Sequence, residues 1–147
     1  MNELNQNEPQ ARPQLLQVLC ILTFIGSGLS LLSNLTMFML IDMINEVYND
    51  GSFSIWLDGM NAEAFEILIS VNRSFFLAQA TIYILSIAGA YQMWNLKKIG
   101  FHFYTIAQIL LIIVSRVYMP QLPFPLFEIM ISLVFITFYA RFIRLMN

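Results

Sequence analysis

The chain has 147 residues, of which 59% are hydrophobic and only 11% are charged. A soluble domain of this size cannot hide so much apolar surface, so the composition excludes a soluble enzyme, a nucleic-acid-binding protein and a disordered chain. The net charge of −2 gives no attraction to polyanions, and the single cysteine, Cys20, excludes an internal disulfide and a CxxC metal or redox site.

Long apolar segments predict four transmembrane helices. A spanning helix needs about 20 mainly apolar residues, and these unbroken runs lack the alternation of membrane barrel strands. The sequence therefore predicts an all-α polytopic membrane protein with a tail over residues 1–13 and one transmembrane domain over residues 14–147. Its helices are expected at about 14–41, 62–96, 99–117 and 125–144.

Lysine and arginine predict the orientation of the bundle, because they are enriched in cytoplasmic loops. An inside N-terminus leaves only Arg73 and Arg116 outside. The bases that then face the cytoplasm are Arg12, Lys97, Lys98, Arg141 and Arg144. We therefore expect an antiparallel bundle with both termini in the cytoplasm, located in the cytoplasmic (inner) membrane of a bacterium.

The first outer loop, residues 42–61, is acidic and contains no lysine or arginine. One interpretation is a docking surface for a basic partner, or a weak divalent-cation site, although the spacing does not fit a calcium loop. The other is that outer loops lack bases and tolerate acids. The candidate docking residues are Asp42, Glu46, Asp50, Trp56 and Asp58. We also expect Arg73 to pair with an acid of this region, Asp42 or Glu66.

Small and polar residues near the middle of the membrane predict contacts between helices. Small side chains let helices approach closely, and serine or glutamine can hydrogen-bond across the interface. The candidate packing residues are Gly26, Gly28, Ser30, Ser86 and Gln108. We expect them to contact another helix, either of this chain or of a second copy.

Arg116 and Glu128 flank a short proline-rich turn between the third and fourth helices. Each charge suits the dipole at its helix end, and the two helices must be antiparallel neighbours. The pattern predicts a structural ion pair across the turn. The alternative is a gate or a substrate-binding group at the outer mouth.

The turn between the second and third helices carries Met93-Trp94, Leu96-Lys97-Lys98, Gly100-Phe101 and Tyr104. This segment resembles the corresponding turn in groups of small uncharacterised four-helix bacterial integral membrane proteins. The resemblance implies the four-helix layout and brings no activity with it.

The sequence favours a non-catalytic function. It contains no Ser/His/Asp set, no phosphate loop and no cluster with metal-ligand spacing, so we expect neither an enzyme nor a cofactor. We expect an accessory, assembly or interaction subunit that contacts the lipid bilayer and a membrane-protein partner or a second copy, and no nucleic acid. The alternative is a small oligomeric transporter or channel, although the predicted midplane lacks the charged group that ion coupling usually needs.

Overall fold

The described part of the chain is entirely helical. The computed structural model describes residues 13–51, 62–123 and 125–146. Over these residues the helices are α1 (Gln14–Asn49), α2 (Ala62–Ser70), α3 (Ser74–Trp94), α4 (Ile99–Tyr118) and α5 (Leu126–Phe142), followed by a 3₁₀ turn at Ile143–Leu145. Four helices of the described part, α1, α3, α4 and α5 with its 3₁₀ turn, are long and apolar enough to cross a membrane. The predicted fold class, an all-α protein with four candidate membrane spans, is confirmed.

α1 extends beyond its predicted end at residue 41 and continues to Asn49. Acidic residues mark where a segment leaves hydrocarbon, but they do not end a helix, because the backbone stays hydrogen-bonded in water as well. The helix ends just before Gly51, whose φ of 73° lies in the left-handed region that glycine adopts readily. The predicted loop over residues 42–61 is therefore wrong in its first part, which is helical.

The predicted helix over residues 62–96 is in fact two helices, separated at residues 71–73. The backbone amide of Ser74 donates to Oδ1 of Asn72 at 2.9 Å, so the asparagine satisfies a backbone donor at the start of α3. An asparagine side chain that bonds to nearby backbone offers the chain an alternative to a continuous helix. The prediction of one uninterrupted helix is wrong for this reason.

α3 and α4 form the closest helix contact. A Cβ atom built on Gly89 would lie 2.7 Å from the backbone nitrogen of Tyr104, and one built on Gly100 would lie 2.5 Å from the carbonyl oxygen of Gly89. Both distances are shorter than real Cβ contacts, so only glycine allows the two backbones to approach this closely.

The buried side chains form two clusters, one towards each end of the bundle. The first contains Cys20, Met93 and Tyr139, near the turn between α3 and α4. The second contains Ile41 and Phe76, near the start of α3 and the end of α4. α5 joins the first cluster through Tyr139, the one fully buried residue of that helix. The bundle is thus tightly packed at one end and loosely packed along the first half of α5.

Candidate binding cavity

A cavity of about 980 Å³ lies between α1, α3, α4, α5 and the turn before α5. Its polar lining comprises Ser33, Asn34, Gln79, Tyr83, Gln108, Ser115, Arg116, Glu128 and Ser132. The rest of its wall is mainly apolar and includes Met37, Phe75, Phe76, Leu111, Ile112, Leu126, Phe127 and Ile131. The cavity therefore offers hydrogen-bonding groups and apolar surface to the same guest.

Two buried hydrogen bonds close the bundle beyond the cavity. The hydroxyls of Thr23 and Tyr139 join α1 to α5 at 2.7 Å, and those of Ser27 and Ser86 join α1 to α3 at 3.0 Å. None of these four residues lines the cavity. These bonded residues thus lie outside the cavity, which is a half-open cleft.

Gln79, in the cavity wall, has a buried amide of which one polar atom lacks a partner. Its side chain is only 6% exposed, and its Nε2 donates to Oγ of Ser115 at 2.9 Å. Its Oε1 is buried and has no hydrogen-bond partner among the described residues. Exchange of the two amide atoms would leave Nε2 unpaired instead, so one polar atom lacks a partner in either orientation. Such a group costs about 1–3 kcal/mol when it is buried.

Two of the predicted packing residues make hydrogen bonds between helices. Gln108 accepts a bond from the hydroxyl of Ser132 at 2.9 Å, which links α4 to α5, and Ser86 bonds to Ser27 as described above. Ser30 is partly buried, and its carbonyl oxygen accepts a bond from Asn34 within α1.

Gly26 and Gly28, in contrast, face open space on α1. A Cβ atom on either residue would meet no atom of the described residues within 4 Å, so neither glycine lies at a contact between the described helices. The alternative in which they contact another helix of the same chain is therefore wrong, and the other alternative, contact with a second copy, stays a prediction. The close contact that small residues predict is instead made by Gly89 and Gly100, where the turn between α3 and α4 holds the helices together.

Arg116 and Glu128 both lie at the cavity wall, close to the turn that they were predicted to bridge. The guanidinium of Arg116 donates to the carbonyl oxygens of Leu122 at 2.8 Å and of Pro120 at 3.4 Å. Arg116 therefore fastens the proline-rich turn to the end of α4, and its predicted pair with Glu128 stays a prediction.

Two acidic residues in and near the predicted outer loop, Asp42 and Glu66, bond to other side chains of this chain. Arg73 donates to Asp42 at 3.2 Å, so the expected partner of that arginine is confirmed, and the hydroxyl of Tyr48 donates to Glu66 at 2.7 Å. Glu46 and Asp50 are exposed. Trp56 and Asp58 lie outside the described residues. Within the described ranges, no group of three His, Cys, Asp or Glu side chains is placed to hold a metal ion.

The cavity itself and the role of Gln79 were not predicted from the sequence. A glutamine inside the apolar run of α3 was the available signal, because a polar side chain in such a run needs a partner.

Comparison of the chain with protein-family models, with curated proteins and with solved structures found no match. The amides and hydroxyls of the cavity wall can hold a guest by hydrogen bonds.

Proposed function

We propose that this protein is a non-catalytic subunit that associates with another membrane protein through the outward face of α5. The observation that carries the proposal is the weak attachment of this helix. Tyr139 is the one fully buried residue of α5, whereas α3 buries nine residues within the same bundle.

A membrane helix needs more than apolar composition to be held in place, because lipid tails are as apolar as its side chains. Close packing and hydrogen bonds between helices must provide the attachment. Tyr139 and Ser132 give α5 hydrogen bonds to neighbouring helices, but little of the helix is closely packed within this chain. Its outward face, which we define as Met130, Leu133, Val134 and Thr137, is exposed and does not line the cavity. A transmembrane helix of a partner subunit would supply the missing packing on this face.

A photoreactive amino acid placed at Val134 tests the proposal in native membranes. Ile84 is the matched control, because both residues lie at the middle of a spanning helix and are similarly exposed, at 49% and 55%. We expect a cross-linked product from Val134 and none from Ile84. Equal cross-linking at the two positions, or none at either, would contradict a specific surface on α5.

The cavity favours a second candidate function, a small oligomeric transporter or channel. A cavity with polar walls could hold a solute. The hydrogen bonds of Thr23 and Ser27 would have to break for the solute to leave towards the turn between α3 and α4. A cross-linked product from Val134 that contains only copies of this chain would favour the oligomer. Solute flux in proteoliposomes would then be measured.

The orientation belongs to the same proposal: both termini in the cytoplasm of a bacterium, with the cavity nearer the outer surface. The distribution of lysine and arginine supports it, since Lys97 and Lys98 occupy the turn between α3 and α4. Single cysteines at Asn49 and Lys98, in a Cys20→Ser background, test it with an impermeant thiol reagent on intact cells. Labelling is expected at Asn49 only, and labelling at Lys98 only would reverse the orientation.

A further inference from the structure

Basic side chains gather at the end of the bundle that bears the turn between α3 and α4. This end, which we call the basic end, presents the exposed side chains of Lys97, Lys98, Arg141 and Arg144. The two lysines lie in the turn itself, and the two arginines lie at the end of α5 and in the 3₁₀ turn that follows it. The residues that the structure describes at this end include no aspartate or glutamate.

The lysines and the arginines belong to one surface, because the helices that carry them pack together. The ring centroids of Tyr104 in α4 and Tyr139 in α5 lie 5.0 Å apart. Met146, two residues after Arg144, is buried in the same cluster as both tyrosines. Counted from the tyrosines at about 1.5 Å per residue, Lys98 lies about 9 Å and Arg144 about 8 Å towards the basic end. The bases of the two helices therefore lie at a similar level.

The acidic residues of the described part of the chain lie at the opposite end of the bundle. They are Asp42, Glu46, Asp50, Glu63, Glu66 and Glu128. Arg73 also lies at that end, where Asp42 pairs with it at 3.2 Å. At the basic end the described residues offer no such carboxylate, so the charge of the four bases can attract an anionic partner from outside the chain.

Exposed apolar side chains adjoin the bases and indicate which kind of anion fits. Ile99, directly after Lys98, is 50% exposed, and Leu145, directly after Arg144, is 41% exposed. Tyr91, about one turn before the end of α3, is also exposed, and tyrosine is enriched at the level of the lipid headgroups. A phospholipid offers a phosphate beside hydrocarbon, whereas a nucleic acid or a dissolved acidic peptide offers no hydrocarbon. The surface therefore matches the headgroup region of a bilayer.

We propose that the basic end is a contact surface for anionic phospholipids, whose headgroup phosphates bind the four bases while their acyl chains lie beside Ile99 and Leu145. One basic side chain near an anionic bilayer surface strengthens binding by about fivefold. A phosphatidylcholine headgroup has no net charge and lacks this attraction. The surface excludes the outward face of α5, so this inference requires neither the partner subunit nor the orientation proposed above.

Spin-labelled lipids in proteoliposomes measure this preference. The full-length protein is reconstituted in phosphatidylcholine, and electron paramagnetic resonance gives the fraction of spin-labelled lipid that protein contact immobilises. Spin-labelled phosphatidylglycerol and phosphatidylcholine with the same acyl chains are compared. The protein should associate with phosphatidylglycerol about twofold to fivefold more strongly at about 0.05 M salt. The ratio should fall towards about 1 at about 1 M salt, where the Debye length is only about 3 Å.

Two variants locate the surface. Replacement of Lys97, Lys98, Arg141 and Arg144 by glutamine should reduce the ratio to about 1. Arg141→Lys combined with Arg144→Lys is the matched control, because it keeps the charge at the same positions and should keep the ratio. All four side chains are exposed, and the unfolding temperature of each variant shows that it is folded. A ratio of about 1 for the unchanged protein, a preference that persists at high salt, an unchanged ratio in the glutamine variant, or a lost preference in the lysine variant would overturn the proposal.

Discussion

Replacement of Gly89 by alanine should separate the two most closely packed helices of the bundle. The added methyl group would lie 2.7 Å from the backbone nitrogen of Tyr104 and 2.9 Å from the carbonyl oxygen of Gly100. Ordinary van der Waals contact begins at 3.4 Å, so the first distance is about 0.7 Å too short. Both neighbours are backbone atoms, which cannot move aside by changing a rotamer. α3 and α4 must therefore move apart.

The magnitude follows from overpacking, which costs about 1–3 kcal/mol where the surrounding structure cannot adjust, partly offset by up to about 1 kcal/mol from the higher helix propensity of alanine. We expect Gly89→Ala to lower the free energy of unfolding by up to about 2 kcal/mol after this offset. Gly26→Ala is the matched control, because its methyl group would meet no atom within 4 Å and only the propensity term applies. That variant should be as stable as the unchanged protein, or slightly more stable.

Unfolding in mixed micelles of a mild detergent and dodecyl sulfate, followed by far-ultraviolet circular dichroism, measures both variants under one set of conditions. Equal stability of Gly89→Ala and Gly26→Ala would refute the close contact of α3 and α4. Stronger destabilisation by Gly26→Ala would place the tight helix contact on α1 instead.

Three further predictions concern hydrogen bonds and charges, and the same unfolding assay checks them. Tyr139→Phe removes the buried hydrogen bond to Thr23 and should lower the free energy of unfolding by about 1 kcal/mol. The double variant with Thr23→Val should lose less stability than the sum of the two single losses, and strictly additive losses would show that the bond is absent. Asp42→Asn should lower the free energy of unfolding by less than about 1 kcal/mol, because the ion pair of Asp42 with Arg73 is exposed. A larger loss would show that this ion pair is shielded from water. Gln79→Leu should leave the protein at least as stable as before, because it removes an unpaired buried oxygen along with one hydrogen bond. Marked destabilisation would show that Oε1 has a partner.

The number of spanning helices could be predicted because charge is expelled from hydrocarbon, and a stretch of sequence shows directly where charge is absent. The ends of the helices could not be predicted in the same way. Asp42 marks the edge of the apolar run, yet α1 continues to Asn49, and Asn72 interrupts a helix that has no proline or glycine at that point.

The positions of the contacts between helices could not be predicted from the sequence, because they depend on which distant segments meet. Gly26 and Gly89 are both glycines within apolar helices, but only Gly89 lies where the turn before α4 brings a second backbone close. Gln79 was similarly hidden, because one of its amide atoms bonds to Ser115 from a distant segment while the other is left without a partner. The cavity lies beside the first half of α5, in which no residue is fully buried, and the uniformly apolar sequence of that helix does not show which of its faces other helices cover.

The central claim is that the bundle holds a half-open cavity that includes Ser132 and does not extend to Ser86. Single cysteines at Ser132 and Ser86, in a Cys20→Ser background, test it with a small water-soluble methanethiosulfonate in proteoliposomes. Ser132 lines the cavity, whereas Ser86 is fully buried outside it. The cysteine at position 132 should react only with reagent added on the side where a cysteine at Asn49 reacts, and the cysteine at position 86 should not react from either side. Reaction at position 86 as fast as at position 132, or no reaction at position 132, would contradict the account.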